Sequence, residues 1–184
     1  MTATKAPTQR VFFALWPDDA ARQQIIDGFR QSVFALQPGR PVTAENLHLT
    51  LHYMGQLELP VIAELQQAAA QIEPIEFSLT LDRFGSFPAA GVLWLGCSKI
   101  SGTLAHLHQA LASQLLAAGI EPEQRPFQPH VTLVRHYKQA LTAEQSPLAQ
   151  PLNWAVKQFA LLESVSSAQG VVYRPLAVYP LMPT

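Results

Sequence analysis

The feature that most constrains this chain is a tetrapeptide that occurs twice, as His48-Leu49-Thr50-Leu51 and as His130-Val131-Thr132-Leu133. Each copy opens an apolar run of the kind that favours a β-strand. Successive side chains of a strand point to opposite faces, so in each copy the histidine shares a face with the threonine while the apolar residues point the other way. Each copy therefore presents one imidazole and one hydroxyl from a half-buried support.

The surroundings of the two copies also match, because an Arg-Pro pair precedes each of them, at Arg40-Pro41 and at Arg125-Pro126. One copy alone would be as consistent with a packed or solvent-facing histidine as with a catalytic one. The chain has only six histidines, and two of them in the same pattern are not expected by accident. We interpret the pair as one site, in which two imidazoles and two hydroxyls suit acid–base chemistry on a phosphate.

Length and composition predict a single domain over residues 1–184, whether one unit or two similar halves, with 48% hydrophobic residues for its core. The formal charge of −1 excludes the whole-surface attraction that non-specific nucleic-acid binding requires. The only cysteine, Cys97, excludes an intrachain disulfide and indicates a reducing compartment. Pro17-Asp18-Asp19 ends the first apolar run too early for a signal peptide, and no segment approaches the roughly 20 apolar residues of a membrane span. We therefore expect a cytoplasmic monomer with no obligate protein partner.

Three segments carry the spacing of amphipathic helices, at residues 18–36, 60–72 and 101–119. Strands are predicted at residues 11–16, 47–54, 76–84, 91–97, 130–137, 154–164 and 171–179. The polar stretch 139–152, which contains two prolines, is predicted to be a surface loop. The order strand, helix, strand occurs twice, and a pair of strands closes the chain. This pattern predicts an α+β fold with antiparallel pairing.

The repeated motif, its spacing and its surroundings resemble those of the two-histidine phosphoesterase superfamily, and within it the bacterial RNA 2′,3′-cyclic phosphodiesterases, once described as 2′-5′ RNA ligases. Residues 10–15 resemble the first strand of that family, residues 45–51 its first motif and residues 125–133 its second. The resemblance covers most of the chain. It implies two pseudo-symmetric lobes, each an antiparallel sheet with helices packed outside, and a cleft between them into which both motifs project.

The same resemblance implies a metal-independent enzyme without a cofactor. Its substrates would be 2′,3′-cyclic phosphate ends of RNA or small cyclic nucleotides, its products 2′-phosphates, and its reverse activity 2′-5′ RNA ligation. Hydrolysis needs one group that takes a proton from water and another that donates a proton to the departing ribose oxygen. By the family pattern His48 is the acid and His130 the base, although the two roles are exchangeable. Thr50 and Thr132 would donate hydrogen bonds to the non-bridging oxygens, where negative charge gathers.

Arg135 stands where the resembling enzymes carry an arginine that reaches the substrate phosphate. Simple alternation along the strand puts Arg135 on the face of Val131, opposite His130, so a phosphate-binding role requires the strand to end or bulge first. The alternative is a solvated or ion-paired surface arginine. Phe13 and Phe127 have rings suited to stacking on a base, but core packing is the favoured interpretation of both.

The remaining histidines have their own expectations. Simple alternation along the strand puts His52 on the face of His48, so we expect His52 at the rim of the cleft. In the same way, alternation puts His136 on the face of His130. On the third helix, His108 is expected to pack and His106 to be exposed.

Two other classes of function stay open. The histidines of the two motif strands, at positions 48, 52, 130 and 136, suggest a metal-dependent hydrolase, although neither motif contains a carboxylate to bind a metal or to orient a ligand. The second class is a non-catalytic module that binds RNA ends.

Overall fold

The computed structural model of the chain describes residues 6–35, 37–142, 146–168 and 170–183. The strands in these ranges are β1 (Thr8–Leu15), β2 (Arg40–Pro41), β3 (Leu49–Glu58), β4 (Phe77–Phe87), β5 (Val92–Gly96), β6 (His130–Arg135), β7 (Pro147–Val156), β8 (Gln158–Ser167) and β9 (Gly170–Pro180). The α-helices are α1 (Asp19–Arg30), α2 (Leu59–Ala69) and α3 (Gly102–Ala117), and one turn of 3-10 helix covers Ala44–Asn46. The predicted α+β class is confirmed.

The strands of the described chain form one antiparallel sheet in the order β7-β4-β5-β6-β3-β1-β8-β9, with β2 beside β6. At its centre β3 and β6 meet through the pair Leu49 and Val131. The order outward from β6 (β5, β4, β7) mirrors the order outward from β3 (β1, β8, β9), and each motif strand is reached through a helix from its neighbouring strand. The two predicted lobes are therefore the halves of one continuous sheet.

The helices cover the face of the sheet that lies opposite the motif histidines. Leu49 and Val131, the apolar neighbours of those histidines, are fully buried in one core with Ile25, Leu65 and Leu107 from the three helices. The burial of these apolar side chains leaves the opposite face of the sheet open for a site. Among the described helices, none is long and apolar enough to cross a membrane.

Helix α1 is shorter than predicted. It begins where the Asp18 carboxylate accepts a hydrogen bond from the Ala21 N–H at 2.8 Å, and it ends at Arg30. The Ser32 hydroxyl then donates to the Phe29 carbonyl at 2.6 Å, a local bond that competes with continued helix. The predicted end at residue 36 lies outside the described residues.

The predicted loop at residues 139–152 is wrong in its second half, because β7 begins at Pro147 and pairs with β4. Its prolines are tolerated because β7 is an edge strand, where a missing N–H costs no ladder bond. The predicted strand 154–164 is likewise two strands, β7 and β8, separated at Lys157. Local polarity could not reveal a strand that long-range pairing stabilises.

Both motif strands carry a β-bulge at the fourth residue of the tetrapeptide. Along β3, Thr50 and His52 pair with adjacent residues of β1, which leaves Leu51 as the extra residue. Along β6, Thr132 and Val134 pair with adjacent residues of β5, which leaves Leu133 as the extra residue. A bulge reverses the alternation of the side chains that follow it.

The bulge in β3 makes the rim position predicted for His52 wrong. His52 is only 2% exposed, and its Nε2–H donates to the His108 carbonyl at 2.9 Å. The His52 ring stacks on the His108 ring with 4.1 Å between centroids, and His108 stacks on Phe127 at 3.9 Å. The packed position expected for His108 is confirmed, as is the core packing favoured for Phe127.

We expect the pH dependence of stability to report this buried stack. Burial lowers the pKa of His108 from 6.5 to about 4, so the unfolded chain binds the proton more readily than the folded protein. Acidification from pH 6.5 to about 4 therefore removes stability. His108→Phe retains a stacked ring that takes no proton, and urea titrations at a series of pH values should show a shallower loss than in the wild type.

The control is His106→Phe, on the exposed face of the same helix, which should keep the wild-type dependence. Identical pH dependence in His108→Phe and the wild type would contradict the prediction.

Candidate active site

The register at the centre of the sheet brings the two motifs together. Leu49 and Val131 are antiparallel partners, so one residue further in each direction places His48 opposite Thr132 and His130 opposite Thr50. All four polar side chains lie on the face that the helices leave open. Each imidazole is therefore the neighbour of the hydroxyl from the other copy.

Both imidazoles are oriented by the same local hydrogen bond. The Nδ1–H of His48 donates to the Asn46 carbonyl, and the Nδ1–H of His130 donates to the Gln128 carbonyl, each over 2.7 Å. A carbonyl can only accept, so this bond assigns the proton of the neutral ring to Nδ1. Nε2 of each ring is then left as the nitrogen that can take or give a proton.

The His48 ring lies between two aromatic side chains. Its centroid is 5.0 Å from that of Phe12 and 4.8 Å from that of Tyr173. Asn46, whose carbonyl orients His48, also donates from its side-chain amide to the Val171 carbonyl at 2.7 Å and accepts from the Tyr173 N–H at 3.3 Å. The same residue thus fixes the imidazole and the strand that carries its aromatic neighbour.

The His130 ring has an equivalent enclosure in the other half of the sheet. Its centroid is 5.2 Å from that of Phe87 and 5.9 Å from that of Trp94. The indole of Trp94 lies against Gly85, where an added Cβ would come within 2.0 Å of an indole carbon. Only glycine at position 85 permits this placement of Trp94.

Enclosure changes the protonation of both histidines. Burial above all, together with the charges of Arg135 and His130, lowers the pKa of His48 to about 4. Burial and Arg135 also lower the pKa of His130. Both rings are therefore predominantly neutral at neutral pH while the site is empty, and a bound phosphate anion would favour their protonation.

A cleft of about 730 Å³ lies over the motif face and includes Thr50 and Thr132 in its wall. Its charged lining is mostly cationic, with Arg10, Arg40 and Arg135 against one carboxylate, Glu45. Such a lining attracts an anion locally although the whole chain carries a formal charge of −1.

The bulge at Leu133 supplies the reversal that the phosphate-binding role of Arg135 requires. Beyond it, Val134 is buried in the core and Arg135 turns to the cleft. The bulge at Leu51 does the same in β3, where Tyr53 becomes a cleft residue. Tyr53 follows His48 at the same distance as Arg135 follows His130.

The model of the 2′-5′ RNA ligase superfamily matches residues 16–167 of this chain. The chain belongs to this superfamily. An RNA 2′,3′-cyclic phosphodiesterase of Escherichia coli (strain K12) is 36% identical over 173 residues, which are 94% of this chain and 97% of the relative.

Solved structures of LigT from Escherichia coli agree with the fold. The apo form gives a TM-score of 0.84 at 35% identity, covering 96% of this chain and 99% of LigT. The complex of LigT with 3′-AMP gives a TM-score of 0.83 at 35% identity, covering 95% of this chain and 99% of LigT.

Sequence reasoning missed the aromatic residues of this superfamily member's site, namely Phe12, Tyr53, Phe87, Trp94 and Tyr173. The core packing favoured for Phe13 is confirmed, because that ring is fully buried in the helix-covered core. The signal available for Phe12 was its parity with Arg10 on β1, since both side chains line the cleft. The signal for Tyr53 was its position five residues after His48, which matches the position of Arg135 after His130. That position points to the cleft only because of the bulge at Leu51, which the sequence does not reveal.

The four histidines considered as a metal cluster do not converge, because His52 is buried on the helix side while His48 lies in the cleft. In the ranges that the structure describes, no three His, Cys, Asp or Glu side chains are grouped as a metal site. His136, by contrast, does line the cleft.

We expect Arg135→Gln to raise the pKa of both His48 and His130. Removal of the guanidinium charge relieves the repulsion that disfavours each imidazolium, while the burial of the rings remains. NMR titration of the imidazole C–H signals measures both values.

The control is Arg174→Gln, at a β9 arginine that does not line the cleft. Titration curves that are the same in Arg135→Gln and in the wild type would show that Arg135 does not act on these rings.

Proposed function

We propose that this protein is a metal-independent RNA 2′,3′-cyclic phosphodiesterase that produces 2′-phosphates by acid–base catalysis with His48 and His130. The observation that carries the proposal is the pairing of each imidazole with the other copy's threonine beside one cationic cleft, with both rings oriented through Nδ1. The names of the relatives in the same superfamily point to the same substrate class.

In the proposed reaction, Nε2 of His130 takes a proton from water as the water oxygen attacks phosphorus. The bond from phosphorus to the ribose 3′ oxygen breaks, and Nε2 of His48 donates the proton that this oxygen needs. Thr50, Thr132 and Arg135 bind the non-bridging oxygens as their negative charge increases. The product keeps its phosphate on the 2′ oxygen, and solvent returns the histidines to their starting states.

The acid role of His48 depends on substrate binding. With a pKa of about 4 in the empty site, the ring is neutral at neutral pH and has no proton to donate from Nε2. A phosphate anion beside the ring stabilises the imidazolium and raises this pKa. Substrate binding and proton uptake are therefore coupled in the proposed mechanism.

We also propose that residues 1–184 act as a single two-lobed domain, in the cytoplasm, as a monomer with no obligate protein partner. The sheet that continues across both halves supports a single domain. Burial raises the pKa of the Cys97 thiol to about 11, which keeps the one cysteine unreactive.

Product analysis tests the proposed reaction. Purified protein incubated with adenosine 2′,3′-cyclic phosphate and excess EDTA should yield adenosine 2′-phosphate at the same rate as without EDTA. Loss of activity in EDTA would indicate the metal-dependent hydrolase instead. Tight binding of the cyclic nucleotide without turnover would indicate the non-catalytic module.

The pH dependence of kcat/KM should be bell-shaped, with its maximum below pH 6.5, because the free enzyme holds the pKa of both histidines below 6.5. On the acid side both rings are protonated and the base is lost; on the basic side both are neutral and the acid is lost. His48→Ala or His130→Ala should each lower kcat/KM by a factor on the order of 10² to 10⁴.

The double replacement should cost little more than either single one, because the two rings act as a unit. His106→Ala, on the exposed face of α3, is the matched control, and thermal melts of all variants verify folding. A profile with one limb only in the wild type would argue against paired histidine catalysis.

A further inference from the structure

A second groove, of about 700 Å³, opens in the half of the sheet that carries His130. The residues that define it here are Arg83, Phe87, Trp94, Gln128 and Ala140. The first cleft belongs mainly to the other half, with His48, Phe12 and Tyr173 in its wall.

Strand register places this groove on the same face of the sheet as the catalytic motifs. Cross-strand partners share a face, and Trp94 is the partner of Thr132, while Gly96 is the partner of both His130 and Arg83. Phe87 and Trp94, which enclose the His130 ring, also line the groove. The groove therefore adjoins the aromatic residues that enclose His130, whereas His48 itself lines the cleft.

The charges of the two cavities differ. The cleft beside His48 has three arginines against one carboxylate. The groove beside His130 has Arg83, which lies 5.8 Å from the centroid of the Trp94 ring, and Asp82, which accepts a hydrogen bond from the Ser98 N–H at 2.7 Å. The cationic cleft suits the part of an RNA substrate that bears the phosphate, and the groove, with one charge of each sign, suits a neutral nucleoside.

The lining of the groove is partly aromatic and includes the ring of Trp94. Trp94 is only 4% exposed, and its indole N–H has no acceptor among the residues that the structure describes. This N–H is itself buried, so the part of Trp94 that a bound nucleoside would contact is the ring and not the N–H. The exposed faces of Phe87 and Arg83 offer stacking surfaces in the same groove.

We propose that this groove is the subsite for the nucleoside that is joined to the phosphate through its 5′ oxygen, an inference that rests on the proposed function. In hydrolysis His130 activates the attacking water, so a 5′-hydroxyl that replaces water approaches from the side of His130. The groove lies on that side. The first cleft then holds the ribose whose 2′ and 3′ oxygens carry the phosphate.

The reaction at this subsite balances without a co-reactant. When a 5′-hydroxyl attacks the cyclic phosphate, His130 takes its proton, the bond from phosphorus to the 3′ oxygen breaks, and His48 protonates that oxygen. The product is a 2′-5′ phosphodiester. In reverse, His48 takes the proton of the 3′-hydroxyl as this oxygen attacks phosphorus, the bond to the 5′ oxygen breaks, and His130 protonates that oxygen. The products are a 2′,3′-cyclic phosphate and a nucleoside with a free 5′-hydroxyl.

The test compares two substrates in each variant: adenosine 2′,3′-cyclic phosphate, which needs only the first cleft, and adenylyl-(2′→5′)-adenosine, which spans both cavities. Arg83→Ala removes a stacking surface, and Ala140→Trp fills the groove from an exposed loop position. Each should lower the ratio of dinucleotide cleavage to cyclic phosphate hydrolysis about tenfold. Ala105→Trp, on the exposed face of α3, is the matched control and should leave the ratio unchanged.

The possible results separate the two proposals. A wild-type protein that does not hydrolyse the cyclic phosphate overturns the proposed function, and the subsite with it. A wild type that hydrolyses the cyclic phosphate but never cleaves the dinucleotide overturns the subsite alone. The subsite is also overturned if both groove variants keep the wild-type ratio.

Discussion

The site depends on one contact, the pairing of Leu49 with Val131 where the two halves of the sheet meet. Both side chains are completely buried, and burial of an aliphatic side chain contributes about 1.5–3 kcal/mol, whereas a typical hydrogen bond contributes about 1. Apolar packing against the helices therefore dominates this junction. Because side chains alternate along a strand, the burial of these two residues places His48 and His130 on the opposite, open face.

The two β-bulges are the second feature on which the site depends. They occur at equivalent positions, Leu51 and Leu133, and each converts the fifth residue after a motif histidine into a cleft residue. In β6 that residue is the cation Arg135, and in β3 it is Tyr53. The same backbone device thus provides a charge in one half of the site and an aromatic surface in the other.

Aromatic enclosure and cationic lining act on the histidines in the same direction. Both disfavour the imidazolium form, so the empty site is neutral at its histidines and positive at its arginines. A bound anion between the two rings would favour the imidazolium form instead. In the proposed mechanism the site consequently takes up a proton when an anion occupies it. The two halves, which are symmetric in backbone, differ in charge and in the cavities that adjoin them.

The sequence by itself determined the α+β class, the helix faces and the two motifs, because these depend on local periodicity and on a repeat visible in the chain. It predicted Arg135 as a ligand only through resemblance, and it misplaced His52, because a bulge has no signature in the residues that form it. It also missed the part of β7 before residue 154, where two prolines conceal an edge strand. These features, together with the aromatic neighbours of each histidine, were decided by tertiary structure, since each depends on the register between strands that are distant in sequence.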